Sequence, residues 1–437
     1  VCVKIWTEIA EERLAENFVA LRRILRDGEP EAGGSSSVPP IAGDKSAMRG
    51  APGRPWPSKA GFAVEDGAAT ELLAVVKANA YGHGIGPCAA VLARAGAKWL
   101  GVTDAHEGAR VRETLGSAGV PFREQPEILV MSGTAGLAGE AECMVQHGLT
   151  AVVWSAEHVE GLGSAARAAG VSVRVHLEVD TGMSRQGVAP GRALERMLGA
   201  IAAARGLELD GVLTHFASTE VAGSAQTAEQ ETQFEAAMAQ VAASAVRPRW
   251  VHVGNSSYID NETGDRASLG WLRRVAGDLG ARAMVRSGLA LYGHLLPIEG
   301  EGVPLAAGQV RPVMTWKTRI IGVEEIGPGA RVGYNGTYVA ERAMRVALLP
   351  VGYADGLRRE LSSTNARAGG WVMIRGRRAG IVGRVSMNLT TVDVSGIPEA
   401  GAGDEVVLLG EGVTAADHAR LSGTIAYEIL CGVRGSE

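Results

Sequence analysis

The sequence predicts an α/β protein, with an N-terminal (β/α)8 TIM-type barrel followed by a separate C-terminal mainly-β domain. Three observations lead there. From about residue 70 to residue 310, short apolar runs rich in β-branched residues alternate with Ala-rich stretches at helical spacing, which spells parallel strands with helical crossovers. Polar or ionisable residues stand at the ends of several runs, where a barrel collects its loops on one face. Near Arg311 the pattern changes to short strands and Gly-rich turns without long helices, which marks a second domain. A chain of 437 residues exceeds one ordinary core, so two domains are expected, at 1–310 and 311–437.

In chain order, Ala10–Arg26 carries Leu14, Phe18, Leu21 and Leu25 at three- and four-residue steps, a helix. Residues 27–67 are dense in Gly, Pro and Ser and too polar to fold alone, which reads as a surface insertion. The eight expected barrel strands are Leu73–Lys77, Trp99–Val102, Ile128–Met131, Ala151–Val153, Val173–Asp180, Gly211–Phe216, Trp250–Gly254 and Ala283–Arg286. Between them Ala89–Ala95, Ala105–Thr114, Ala156–Ala169, Arg192–Ala204 and Ala228–Ser244 read as helices. The polar stretch Asp260–Ser268 obscures the helix before the last strand and reads as a smaller insertion, near 260–280. Beyond Arg311 the expected strands are Met314–Val323, Val332–Tyr334, Met344–Val351, Trp371–Ile374, Gly380–Val394 and Asp404–Leu409, with helical segments at Ala415–Leu421 and Ile425–Leu430.

Bulk numbers exclude some functions. Hydrophobic residues at 46% and charged residues at 21% suit a globular protein, and a formal charge of -5 makes no case for binding nucleic acid or an anionic membrane. No apolar run reaches the roughly 18 residues that a bilayer span needs. The cysteines Cys2, Cys88, Cys143 and Cys431 are scattered without metal-ligand spacing, so no metal and a reducing compartment are expected. Nothing resembles a leader, and the expected location is cytoplasmic.

The run Leu72-Leu73-Ala74-Val75-Val76-Lys77-Ala78-Asn79-Ala80-Tyr81-Gly82-His83-Gly84 concentrates the chemistry. It reads as a buried strand ending in an amine, followed by a glycine-punctuated turn. Only six of the 43 basic residues are lysines, so a lysine in this place reads as an amine meant to lose its proton. Desolvation lowers a lysine pKa, and the neutral amine attacks aldehydes to form a Schiff base. Such a lysine can also snorkel to solvent, His215 can be a hydrogen-bonded core histidine, and Arg286 can pair with a helix carboxylate. The joint pattern favours a site. Lys77, Asp180, His215, His252 to Ser256 and Arg286 fall at five strand ends that face one mouth. Ser256 and the N–H groups of Gly288 and Leu289 follow strands seven and eight, where barrels hold phosphate. An amine with a phosphate pocket suggests pyridoxal 5′-phosphate.

The stretch Ala74 to Gly84 resembles the cofactor-attachment signature of the alanine racemase family. The resemblance continues through Asp180-Thr181-Gly182-Met183-Ser184-Arg185, Thr214-His215-Phe216, His252 to Ser256 and Arg286 to Gly293. It returns at Gly333-Tyr334, at Gly352 to Gly356 and at Gly383 to Asn388, so it covers nearly the whole chain outside the two insertions.

The resemblance implies roles. Lys77 would hold the cofactor and serve one face of the substrate Cα, with Tyr334 serving the other, because racemisation needs one group to remove the α-proton and another to return one. A phenol is a weak base, so Tyr334 would need a cationic or desolvated setting. Arg286 would face the pyridine nitrogen and leave it unprotonated, disfavouring decarboxylation and transamination. His252 would orient Arg286, and His215 would lie on the ring. Tyr81, Asn255, Ser256, Gly288 and Leu289 would bind the cofactor at and beside its phosphate. Arg185, Tyr353 and Met387 would meet the substrate, the latter two and Tyr334 acting in trans in a homodimer.

Two departures stand out. Glu178 occupies a position where many relatives have lysine and is expected to pair with Arg185, while Asn388 stands where aspartate is common. The tail after Tyr427 stops short, and the tyrosine that reaches the phosphate in the family has no evident counterpart.

The expected activity is interconversion of L- and D-alanine, supplying D-alanine for peptidoglycan. The alternatives are a serine or broad-specificity racemase and a fold-related amino-acid decarboxylase, which usually faces the pyridine nitrogen with a carboxylate. A single-barrel cofactor carrier would need neither the β domain nor Tyr334.

Overall fold

The computed structural model describes residues 4–26, 70–261, 267–302 and 304–435. The first insertion, at 27–67, and residues 262–266 of the second lie outside the described residues, as does Cys2.

The polypeptide opens on β1 (Ile5–Ile9) and α1 (Glu11–Arg26). Leu14, Phe18, Leu21 and Leu25 all face inward on α1, and Glu11, Glu12, Arg23 and Arg26 sit at the ends that suit the helix dipole. Eight parallel strands then close a barrel: β2 (Glu71–Val75), β3 (Trp99–Val102), β4 (Glu127–Val130), β5 (Thr150–Val153), β6 (Val173–Glu178), β7 (Leu207–Leu213), β8 (Trp250–Val253) and β9 (Arg282–Ser287). Closure comes from β9 pairing with β2, which sets Arg286 opposite Leu73. These strands are covered on both faces, which is why they read as near-continuous apolar runs.

Helices α2 (Ile85–Arg94), α3 (Ala105–Ser117), α4 (Glu140–Gln146), α5 (Ala156–Ala169), α6 (Arg192–Ala203) and α7 (Ala225–Ala243) follow in turn. Asp104, Ser155 and Ser224 cap α3, α5 and α7 by accepting N–H bonds from the first turn. After β8 comes the short α8 (Ser256–Asp260), then α9 (Ala267–Asp278). The latter corrects the sequence expectation near 260–280, since Leu269, Trp271, Leu272 and Val275 of this range are buried in a regular barrel helix.

The second domain is antiparallel. Its strands are β10 (Met314–Arg319), β11 (Gly322–Ile326), β12 (Arg331–Val332), β13 (Tyr338–Val339), β14 (Met344–Leu349), β15 (Trp371–Ile374), β16 (Arg377–Gly380), β17 (Thr390–Asp393) and β18 (Glu405–Leu409). They form sheets ordered β1-β10-β18-β15-β16, β11-β14-β17 and β12-β13. Strand β1, grouped with the barrel by sequence, thus pairs with β10 from Ile5 opposite Thr318 to Ile9 opposite Met314. Helices α10 (Ala415–Ser422) and α11 (Ala426–Gly432) end the fold.

Helix α11 matters for the site. A Cβ on Gly82, just after the lysine turn, would lie 2.4 Å from the Leu430 carbonyl oxygen, so glycine lets this helix sit against that turn.

Candidate active site

Strand β2 stops at Val75, and Lys77 lies two residues beyond it, at the head of a turn rather than on the strand as expected. The next four residues, Ala78, Asn79, Ala80 and Tyr81, have φ of 52°, 53°, 55° and 53°. Four successive L-residues in the left-handed region cost about 1–2 kcal/mol each. Neighbours hold them there. Val76 donates its N–H to the Gly101 carbonyl (2.8 Å) and accepts from Ala80 (2.8 Å). Glu107 accepts from the Asn79 N–H (3.1 Å), and the Asn79 side chain accepts from the Ile85 N–H (3.0 Å). The turn opens Lys77 to the barrel mouth and returns Tyr81 to the interior. Desolvation, with the charges of Arg185 and Arg286, holds the Lys77 amine below the ordinary lysine range.

Arg286, buried at the end of β9, makes three contacts. Its guanidinium donates to the Thr214 carbonyl (2.8 Å), to Nδ1 of His215 (3.0 Å) and to Nδ1 of His252 (3.0 Å). A guanidinium only donates, so both imidazole Nδ1 atoms accept and neither ring is protonated there. Burial together with Arg286, Arg185 and Lys77 brings the His215 pKa down to about 3, and burial lowers Arg286 itself to about 10. Lys77, His215 and Arg286 therefore form one electropositive cluster that lacks an imidazolium.

Beside it lies a hydroxyl-rich cradle. Asn255 caps α8, its side-chain oxygen accepting from the Tyr258 N–H (3.1 Å) and from Thr219 Oγ1 (2.9 Å). Ser256 Oγ accepts from the N–H groups of Gly288 (3.1 Å) and Ala290 (3.2 Å) and lies 3.1 Å from Ser287 Oγ. Leu289 is buried at the start of the following short turn, Leu289–Tyr292. A Cβ on Gly288 would stand 2.1 Å from Tyr81 Oη, so the missing side chain is what admits the phenol. Tyr427 on α11 packs its ring 5.8 Å from that of Tyr81, and burial pushes its phenol up to about 12. The tail does bring a tyrosine to this cradle, which corrects the sequence expectation. The short tail conceals it because Tyr427 belongs to the helix itself.

Past β6 the chain folds back tightly. Asp180 Oδ1 accepts the N–H groups of Gly182, Met183 and Ser184, each at 3.0 Å, and a Cβ on Gly187 would fall 2.6 Å from the Asp180 nitrogen. This leaves the Arg185 side chain open at the mouth. Glu178 does not pair with Arg185 as expected from sequence; its carboxylate accepts instead from Gln186 Nε2 at 2.5 Å. Its desolvated carboxyl is raised above the usual range, with Arg286, Gln186 and Arg185 opposing the shift.

Tyr334, Tyr353 and Met387 gather on the second domain. Gly333 (φ 71°) lets the Tyr334 turn approach the Arg384 nitrogen, with Cβ space of 3.2 Å. Tyr353 N–H donates to the Ser386 carbonyl and Ala354 N–H to the Met387 carbonyl, both at 3.0 Å. Gly352 has no room for a Cβ, which would meet Ser386 O at 2.1 Å. The three side chains stay exposed, at 68%, 44% and 56%, unusual values for large apolar groups.

Known proteins share this two-domain fold. The family model "Alanine racemase, N-terminal domain" matches residues 63–296, and "Alanine racemase, C-terminal domain" matches 313–436. The alanine racemase of Symbiobacterium thermophilum is 38% identical over 369 residues, 84% of this chain and 89% of that protein. The solved alanine racemase of Streptomyces coelicolor A3(2) superposes with a TM-score of 0.78 at 30% identity, covering 99% of this chain and 96% of that one. That of the D-cycloserine producer Streptomyces lavendulae gives 0.77 at 28%, covering 99% and 95%.

Proposed function

We propose a two-base site for this chain, which belongs to the alanine racemase family, with Lys77 and Tyr334 on opposite faces of the substrate. The enzyme is a pyridoxal phosphate-dependent amino-acid racemase that interconverts L- and D-alanine. The observation that carries the assignment of roles is the amine of Lys77 at the barrel mouth, depressed by burial and by Arg185 and Arg286. The residues present fit the cofactor: a deprotonatable amine, a donor-only guanidinium, and a cradle in which Gly288 makes room for Tyr81 Oη.

Pyridoxal phosphate, when bound, supplies an electron sink for the pair left at Cα. The chain's own residues do the rest. Tyr81 and Ser256, with Gly288 and Leu289, bind the phosphate, and Asn255 fixes Ser256 by capping its helix. Arg286 donates toward the ring nitrogen and has no proton to give up readily, which keeps that nitrogen neutral and limits side reactions. His252 orients Arg286, and His215 borders the ring. Arg185 binds the substrate carboxylate, while Tyr353 and Met387 limit the side-chain space to a small amino acid. Lys77 Nζ takes or returns the α-proton on one face and Tyr334 Oη on the other.

The exposed cluster of Tyr334, Tyr353 and Met387 supports a homodimer in which each subunit's β domain completes its partner's mouth. Supply of D-alanine for peptidoglycan, in the cytoplasm, is the role proposed for it. L-alanine incubated with the holoenzyme in deuterated water tests the reading. Optical activity should decay while deuterium enters Cα, and borohydride treatment should fix the cofactor on Lys77. Labelling at any other residue overturns it.

A further inference from the structure

We infer that His176 and Asp210 are positioning residues for Arg286, acting through His252. The two lie inside the barrel on β6 and β7, and the inference deepens the reading of Arg286 given above.

The direction of every link follows from Arg286. Its guanidinium can only donate, so His252 Nδ1 accepts and the His252 proton sits on Nε2. That Nε2 is 2.8 Å from His176 Nδ1, which must then accept, and the His176 proton sits on its own Nε2. His176 Nε2 faces Asp210 Oδ2 at 3.5 Å, and neither buried atom has a hydrogen-bond partner elsewhere among the described residues. The other carboxylate oxygen, Oδ1, accepts from Arg249 Nε, whose side chain is largely exposed. A chain of donors thus runs one way from the guanidinium at the mouth to a buried carboxylate. Space for it is built in, since a Cβ on Gly211 would come within 2.7 Å of His176 Nδ1.

Burying four polar side chains in an apolar barrel is expensive unless they serve something. Two neutral imidazoles between the charges pass on only part of the carboxylate's negative potential. The plane of Arg286 is therefore held while its positive potential at the mouth is offset less than a carboxylate in direct contact would offset it.

Asp210→Asn tests the direction. Arg249 only donates and will keep the amide oxygen, which turns the amide NH2 toward His176. The two links from that amide through His176 to His252 are then satisfied only in reverse, which sets a His252 Nδ1–H against the Arg286 guanidinium, donor facing donor, and loosens its hold. Arg249→Met in the same protein frees the amide to rotate and restores the original direction. In holoenzyme labelled with 15N-histidine, NMR should report Nε2–H on both rings in the parent, Nδ1–H in Asp210→Asn, and Nε2–H again in the double variant. The kcat for alanine should fall about tenfold in the single variant with KM little changed, and recover in the double. Unchanged tautomers, altered tautomers at parental kcat, or no recovery in the double variant each overturn the inference. Should Asp210→Asn not fold, His176→Phe keeps ring volume and removes the acceptor, and parental kcat there overturns it equally. The tautomer readout does not depend on turnover, so its failure is distinguishable from failure of the racemase reading, which deuterium exchange tests.

Discussion

Gly288 and Tyr81 are fitted to one another, for a single Cβ on the glycine would lie 2.1 Å from the tyrosine hydroxyl. Tyr81 cannot retreat freely, because its ring is packed against Tyr292 at 5.1 Å and Tyr427 at 5.8 Å. Gly288→Ala should therefore displace the phenol from the proposed phosphate site. Overpacking of this kind costs about 1–3 kcal/mol, so cofactor affinity should weaken about 10- to 100-fold. Absorbance titration of the apoprotein with pyridoxal phosphate measures it, and unchanged affinity would remove Tyr81 from that role.

Removing Tyr334 Oη should separate two reactions that normally occur together. In Tyr334→Phe, racemisation should drop about 10²- to 10⁴-fold, the usual worth of a general acid–base group. Exchange of the α-proton with solvent should persist for the one enantiomer whose proton faces Lys77. Mixing subunits carrying Lys77→Ala with subunits carrying Tyr334→Phe should restore activity up to about one quarter of sites, if a C2 dimer shares its sites. Mass spectrometry of each enantiomer in deuterated water reads the first expectation and an activity assay after subunit exchange reads the second. Loss of exchange from both enantiomers would refute the division of faces.

Much of this was legible because parallel barrel strands leave a local signature. Ile128 to Met131 was expected and Glu127–Val130 is observed, and Ala156–Ala169 is a helix with those same bounds. What escaped was non-local or conformational. Strand β1 has the right composition, but its partner β10 lies some three hundred residues away, and nothing near Ile5 announces it. The left-handed run at Ala78–Tyr81 is imposed by Glu107 and the neighbouring loops, since two of its residues are alanines with no preference for that region. Glu178 turned to Gln186 because the fold-back fixed by Asp180 leaves Arg185 facing outward. A signal for His176 and Asp210 did exist, namely polar residues in the middle of otherwise apolar strands.

Lys77 should cost the empty protein stability. Its pKa is depressed in the folded state, so the unfolded chain binds the proton more tightly. The penalty is complete at pH below the folded-state value and disappears as pH rises through that value to the ordinary lysine range. Apoprotein carrying Lys77→Met should melt at a higher temperature than the parent at pH 7, and the difference should shrink as pH is raised toward 10. It should also lose racemase activity. Equal melting curves at pH 7 would show that solvent at the mouth already satisfies the ammonium.

Glu178 gives the opposite sign. Burial raises its carboxyl, so the penalty for its charge is absent at low pH, grows as pH climbs from the ordinary glutamate range and is complete above the folded-state value. Glu178→Gln keeps the shape and removes the charge, and its gain in melting temperature over the parent should widen from pH 4 to pH 8. Function should move the other way, because the carboxylate lies within the field of both Arg185 and Arg286. Without the charge, the Gln186 link that holds the fold-back beside Arg185 weakens, and KM for alanine should rise several-fold, in keeping with about 1 kcal/mol for one charged contact. Cofactor affinity should change less than KM, since the cradle of Ser256, Gly288 and Tyr81 does not touch Glu178. Parallel titrations of alanine and pyridoxal phosphate distinguish the two, and an equal loss of both would place Glu178 with the cofactor rather than with Arg185.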